Sequence, residues 1–275
     1  MALYLTGHRP WVTTLSADTD TRIFINQWLA PVTKPLILTS VHMNYTVETL
    51  AHGTKVCINS THRFGTDAFL LSDFCGVKYA QTALDIGSGC GIIPLRWKDR
   101  GHKAMAVALE IDADGTELTN ESIRLNGFEN MVAVNRDIRT WQTDMQFDVI
   151  TCNPPYFTAG KPKDDDKKAS FRHQLTLTDN DVAAAAYRLL KDNGKLCICQ
   201  RPSQLAAVIY AMKSNRIEPK VIRFVRQRKD SPHPWLVLVD GRKNGGVSLT
   251  VMPDLIMENE QGGFSDEVLK IYNKI

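Results

Sequence analysis

From about Thr82 onward, short β-branched runs alternate with helical stretches, and this rhythm limits the fold more than any other feature of the chain. Strand and helix repeated in turn produce a parallel sheet covered by helices on both faces. Thr82 to Ile86 reads as a strand, Gly91 to Arg100 as a helix, and Ala104 to Ile111 as a strand. The helix expected from Asp114 to Asn126 stops at Asn126-Gly127, where glycine supplies a left-handed terminator. Strands are expected at Met131 to Asn135 and Phe147 to Cys152. Thr178 is placed to cap a helix from Asp179 to Lys191 that Gly194 stops; a strand from Lys195 to Gln200 and a helix opened by Pro202 follow. No helical pattern separates the last two runs, Lys220 to Arg226 and Trp235 to Asp240, so they are expected to form an antiparallel pair at one end of the sheet.

At 275 residues and 43% hydrophobic side chains the chain can bury a substantial core, which excludes disorder as a whole. Residues 1–44 break the rhythm with Gly7, Pro10, Pro31 and Pro35, and only Arg22 to Leu29 reads there as a helix. That stretch is expected to be an appendage to a domain spanning 45–275, with Met43 an alternative start and deletion of 1–42 leaving a folded protein. A net charge of +3 excludes a global cationic field, so any basic surface is local. Apolar runs such as Ala104 to Leu109 fall far short of the roughly 20 residues that cross a bilayer. Thr6, Gly7, His8 and Arg9 interrupt the apolar start, which argues against a secretory signal and for the cytoplasm. The six cysteines include no Cys-x-x-Cys pair and are expected to be reduced, acting as small hydrophobes. His173 and His233 lack metal-ligand spacing, and no metal is expected.

Leu84-Asp85-Ile86-Gly87-Ser88-Gly89-Cys90-Gly91 joins the first strand of the α/β unit to its first helix. Glycines there let backbone approach a ligand, and the helix behind them offers free N–H groups. A dinucleotide fingerprint needs a third glycine at position 92, where this chain has Ile92. What remains is Asp-x-Gly-x-Gly-x-Gly, with Asp85, Gly87, Gly89 and Gly91, the pattern of enzymes that bind S-adenosylmethionine. Glu110, ending the second strand, can accept both ribose hydroxyls, with Asp112 its competitor. Asp137, just past the third strand, can accept from the exocyclic amine of the cofactor's adenine. Taken alone, the glycine loop also reads as a tight βα turn and Glu110 as a solvated strand end.

Asn153-Pro154-Pro155-Tyr156-Phe157 closes the fourth strand. Two prolines cannot continue a ladder, and they fix the backbone as it leaves the sheet at the carboxyl edge, where ligands bind. An exocyclic amine on an aromatic base, or an amide nitrogen, is a poor nucleophile because its lone pair is delocalised. Acceptors at its two hydrogens, the Asn153 side-chain oxygen and the Pro154 carbonyl, pull the nitrogen toward sp3 and aim the lone pair at a sulfonium methyl. Tyr156 supplies a planar face for a flat substrate and Phe157 helps to hold it. A rigid strand-exit turn with a core tyrosine is the plainer alternative. The two motifs together indicate a nitrogen methyltransferase that needs no strong general base, since proximity and alignment carry the reaction.

Between Lys220 and Lys243 stand seven basic and two acidic residues. Arg223, Arg226, Arg228 and Lys229 lie beside Phe224 and Trp235, cations for phosphates next to aromatics that stack on splayed bases. An ordinary solvated hairpin with Trp235 in the core is the alternative. The charged loop 161–168 reads either as a segment closing over the substrate, with Arg172 on its far side, or as a surface loop without function.

Together with Arg63-Phe64-Gly65-Thr66-Asp67-Ala68 and Leu189-Leu190-Lys191-Asp192-Asn193-Gly194-Lys195-Leu196, these motifs resemble the bacterial tRNA1(Val) adenine-N6 methyltransferases over about residues 45–275. Members of that family modify the adenine beside the anticodon. The resemblance implies an α/β class I methyltransferase fold, a seven-stranded, mostly parallel Rossmann-like sheet with an antiparallel C-terminal hairpin. It implies Asp85, Gly87, Glu110 and Asp137 around S-adenosylmethionine, Gly65, Thr66 and Asp67 near its methionine end, and Asn153 to Tyr156 at the target amine. The expected partner is tRNA or another structured RNA. Asn-Pro-Pro-Tyr is shared with protein glutamine N5-methyltransferases of the release-factor type, the alternative reading. Those enzymes usually carry a helical N-terminal domain, which residues 1–64 do not resemble.

Overall fold

The structure, a computed structural model, describes residues 44–154 and 177–275. The expected appendage with its helix Arg22 to Leu29, Pro155, Tyr156, Phe157, loop 161–168 and Arg172 lie outside the described residues.

A hairpin of β1 (Thr46–Thr49) and β2 (Lys55–Ile58) precedes α1 (Thr66–Phe74). The alternating part then runs β3 (Ala83–Ile86), α2 (Ile92–Asp99), β4 (Ala106–Glu110), α3 (Ala113–Asn126), β5 (Met131–Asn135) and β6 (Phe147–Cys152). It continues with α4 (Asp179–Leu189), β7 (Leu190–Gln200), α5 (Leu205–Ser214), β8 (Ile217–Arg226) and β9 (Leu236–Lys243). Two-residue strands β10 (Thr250–Val251) and β11 (Leu255–Ile256) and a short α6 (Asp266–Ile271) end the chain.

Among the described residues, seven strands form the body of the main sheet in the order β8-β9-β7-β6-β3-β4-β5, and β10 and β11 extend its edge by pairing parallel to β8. β3 to β7 are parallel, while β9 runs antiparallel between β7 and β8. The expected antiparallel pair is present, with its second strand inserted into the sheet rather than added outside it.

Both faces are covered, so the strands are apolar on both sides and their parity decides which core each residue joins. Small side chains, Ala83, Ala106, Ala108, Cys197 and Cys199, face one core with Leu71, Ile93, Leu95 and Leu118. Large ones, Leu84, Val107, Leu109, Ile150, Leu196 and Ile198, face the other with Val182, Ala186 and Leu189. All six cysteines are buried and free, most of them small members of the first core.

Helix ends follow local chemistry. Asp112 caps α3 by accepting from the amides of Asp114 and Gly115, and Gly127 closes it in the left-handed conformation at φ 63°. Thr178 and Asp181 form a reciprocal capping box on α4, an arrangement worth about 1 kcal/mol. This helix ends at Leu189, two residues before the expected Lys191, because Leu190 is fully buried and already pairs with Phe147 of β6. Lys191 to Gly194 then bulge out before the ladder resumes at Lys195, with Asn193 at φ 57°.

Candidate active site at the carboxyl edge of the sheet

Chain direction reverses its stepping across the sheet between β3 and β6, and ligands of open α/β sheets bind outside the carboxyl ends at such a point. A cavity of about 300 Å3 lies there, lined by Gly87, Glu110, Asp137 and Asn153, with Ile86, Leu109, Ile111, Ile138 and Leu177 as its apolar wall. Four of the expected residues thus come from four separate segments to one cavity.

Gly87 adopts φ 69°, and among the described residues no atom beyond its chain neighbours lies within 4 Å of where its β-carbon would stand. Gly91 serves a different purpose: it caps α2 at φ 77°, and an added β-carbon would lie 2.6 Å from Thr119 Cγ2. It is the close packing of α3 on the loop that requires glycine there. Gly89 reaches the site through its amide, which donates to Glu110 Oε2 at 2.8 Å, while the Asp112 amide donates to Oε1 at 2.9 Å. The Glu110 carboxylate is therefore fixed in orientation, and each oxygen keeps a further lone pair for a hydroxyl. Asp112, the alternative ribose acceptor, is engaged as the cap of α3 and lies 3.3 Å from His62 Nε2.

Asp85 lies beneath the loop, 1% exposed, and accepts from Thr151 Oγ1 at 2.7 Å. Burial pushes its carboxyl up to about 7, against the pull of the Thr151 hydroxyl. Asp137 is held by Arg139, whose Nε lies 2.9 Å from Oδ2 and whose terminal nitrogen lies 2.5 Å away, so the guanidinium keeps its carboxyl below the usual range. The pair is partly exposed, a setting in which ion pairs contribute about 0–1 kcal/mol, so an adenine amine competes for Asp137 at little cost. Arg136 and Arg139 also line the cavity and were not expected there; the cluster Asn135-Arg136-Asp137-Ile138-Arg139 was the available signal.

Asn153 leaves the end of β6, lines the cavity, and accepts from Cys199 Sγ at 3.0 Å through Oδ1. Pro154 is buried at the strand exit. Gly65 is the N-cap of α1, Thr66 and Asp67 form its first turn, and Asp67 Oδ1 accepts from the Ala68 amide at 2.9 Å. None of these three is among the described residues lining the cavity.

At the C-terminal hairpin the structure departs from the expected cationic surface. Arg223 pairs with Glu267 at 2.7 Å, Arg226 with Asp254 at 2.5 Å and Arg228 with Glu258 at 3.4 Å. The excess of positive charge in 220–243 is offset by carboxylates that lie later in the chain. Trp235 packs against the first core and Phe224 against the second, the plainer of the two readings. Arg228 has the most exposed side chain of the three arginines, at 66%.

Among the described residues, no three His, Cys, Asp or Glu side chains group as a metal site, and no helix is long and apolar enough to cross a membrane. The family model for the methyltransferase small domain matches residues 57–213. A tRNA1(Val) (adenine(37)-N6)-methyltransferase of Aeromonas hydrophila is 26% identical over 211 residues, covering 76% of this chain and 88% of that protein. The enzyme of the same description from Tolumonas auensis is 32% identical over 168 residues, 58% of this chain and 70% of its own length. Among solved structures, a predicted O-methyltransferase of Agrobacterium tumefaciens superposes with a TM-score of 0.62 at 22% identity, covering 76% of this chain and 96% of that one.

Proposed function

Because this chain belongs to the tRNA1(Val) adenine-N6 methyltransferase family of methyltransferase small domains, we propose that it methylates the exocyclic N6 of an adenine in tRNA at the expense of S-adenosylmethionine. The observation that carries this reading is the meeting of Glu110 and Asn153, from different strands, in one cavity at the switch point of the sheet. The chain fits the cofactor: the space over Gly87 is open, the Glu110 carboxylate is held by two amides with lone pairs to spare, and the apolar wall suits an adenine ring.

S-adenosylmethionine supplies an electrophilic sulfonium methyl when bound. Glu110 would accept from the cofactor's ribose hydroxyls and Asp137 from its adenine amine, with Asp85 buried beneath the glycine loop. Asn153 Oδ1 and the Pro154 carbonyl accept the two hydrogens of the target amine, which turns the nitrogen lone pair away from the base ring. Closing the site around both partners replaces an encounter in solution by a fixed alignment. The amine proton leaves after transfer, so no strong base is needed at N6. Tyr156 stacks on the target base, and Phe157 and Arg172 hold the nucleotide; Gly65, Thr66 and Asp67 complete the methionine end. The catalytic domain is residues 45–275, and an enzyme acting on tRNA works in the cytoplasm.

Asn153→Ala tests the assignment. Methyl transfer is expected to fall by about 100-fold or more, the scale of removing one preorganised polar group from the reacting centre. Cofactor affinity, measured by calorimetry, stays within a few-fold; a large loss of affinity with little loss of turnover moves Asn153 out of the catalytic role.

A further inference from the structure

Asn153, directly after β6, and Cys199 on the neighbouring β7 come side by side on one face, because the preceding residues Cys152 and Ile198 are paired. Cys199 is fully buried, and its Sγ lies 3.0 Å from Asn153 Oδ1. Resting on the reaction assigned above, we propose that Cys199 is a positioning residue that determines which end of the Asn153 amide faces the target amine.

The two ends of a side-chain amide are nearly identical in shape and opposite in chemistry. Turned one way, Asn153 offers an acceptor to the target N–H; turned the other, it offers an NH2 group to another NH2 group, and transfer stops. A thiol is a donor, if a weak one, and it favours the oxygen as its neighbour. An sp2 oxygen has two lone pairs, so Oδ1 can accept from Cys199 behind it and from the target amine in front. Cys199 touches no reacting atom; it acts through Asn153. A plain core role is the rival account, because Cys197 on the same strand fills the same core without reaching the site.

The test compares wild type, Cys199→Ala, Cys199→Ser and Asn153→Ala by kcat on tRNA, by calorimetric affinity for S-adenosylmethionine, and by the infrared S–H stretch isolated as the wild type minus Cys199→Ser difference. Cys199→Ala is expected to lower kcat by about 2- to 10-fold, the range one neutral hydrogen bond supports, with cofactor affinity unchanged. Cys199→Ser, which restores a donor, is expected to return kcat close to wild type. The S–H band, isolated in that background against Asn153→Ala with Cys199→Ser, should move to higher frequency in Asn153→Ala, where the Asn153 oxygen is gone. Equal kcat in wild type and Cys199→Ala, a serine variant no better than alanine, or an unmoved S–H band would overturn the inference. A wild type that leaves adenine unmethylated overturns the reaction, and this role with it; that outcome is distinct from one in which wild type and Cys199→Ala methylate equally fast.

Discussion

At the scale of single residues, the site stores an electrostatic cost. Asp85 is buried and its carboxyl is pushed from the usual 3.8 up to about 7. Below pH ~4 both the folded and the unfolded chain hold that proton, and between ~4 and ~7 only the folded chain does, so this residue's contribution to stability falls as pH rises through the window. Above pH ~7 the burial penalty is felt in full. Asp85→Asn removes it: the variant is expected to melt at higher temperature than wild type at pH 8, with the gain shrinking as pH approaches 4, and to bind S-adenosylmethionine more weakly. A variant less stable than wild type at pH 8 would contradict this account. The aspartate was legible from the Asp-x-Gly-x-Gly-x-Gly pattern. Its Thr151 partner, 66 residues away, was not, because the two meet only once β3 and β6 pair.

At the scale of elements, the glycine loop is as much a packing device as a ligand cradle. Gly91 combines a left-handed backbone with a close approach of Thr119 from α3. Gly91→Ala is expected to destabilise the protein by about 2–4 kcal/mol in urea unfolding, from the left-handed penalty and overpacking together. Thr119→Ala in the same chain should recover part of the loss, because Cγ2 and Oγ1 are the nearest obstacles. A Gly91→Ala variant as stable as wild type would show that the loop can relax away from α3. Elements between Thr82 and Cys152 were legible because their signals are local: β-branched runs and Gly127 as a stop; the cap at Asp112, expected instead as a ribose acceptor, was not. The hairpin β1-β2 and the strands β10 and β11 were not, being two to four residues long, and β10 and β11 are held by pairing with β8 about 30 residues earlier. The end of α4 at Leu189 was misplaced for the same reason, since the pairing of Leu190 with Phe147 outweighs its helical propensity.

At the scale of the whole molecule, charge is redistributed by folding. A basic run at 220–243 is legible in the sequence, but Asp254, Glu258 and Glu267 are brought onto Arg226, Arg228 and Arg223, and no local pattern announces ion pairs 28 to 44 residues apart. RNA binding is therefore expected to rest on the exposed end of the hairpin. Arg228→Glu with Lys229→Glu should weaken tRNA binding and reduce the salt slope by about two, one for each phosphate no longer neutralised, while leaving cofactor affinity unchanged. Binding and salt dependence like those of wild type would place the RNA elsewhere. The central claim is the identity of the methylated atom, and labelled S-adenosylmethionine with total tRNA from a strain lacking the enzyme tests it most directly. Nucleoside analysis is predicted to place the label in N6-methyladenosine; label in protein glutamine, with none in adenosine, would contradict it.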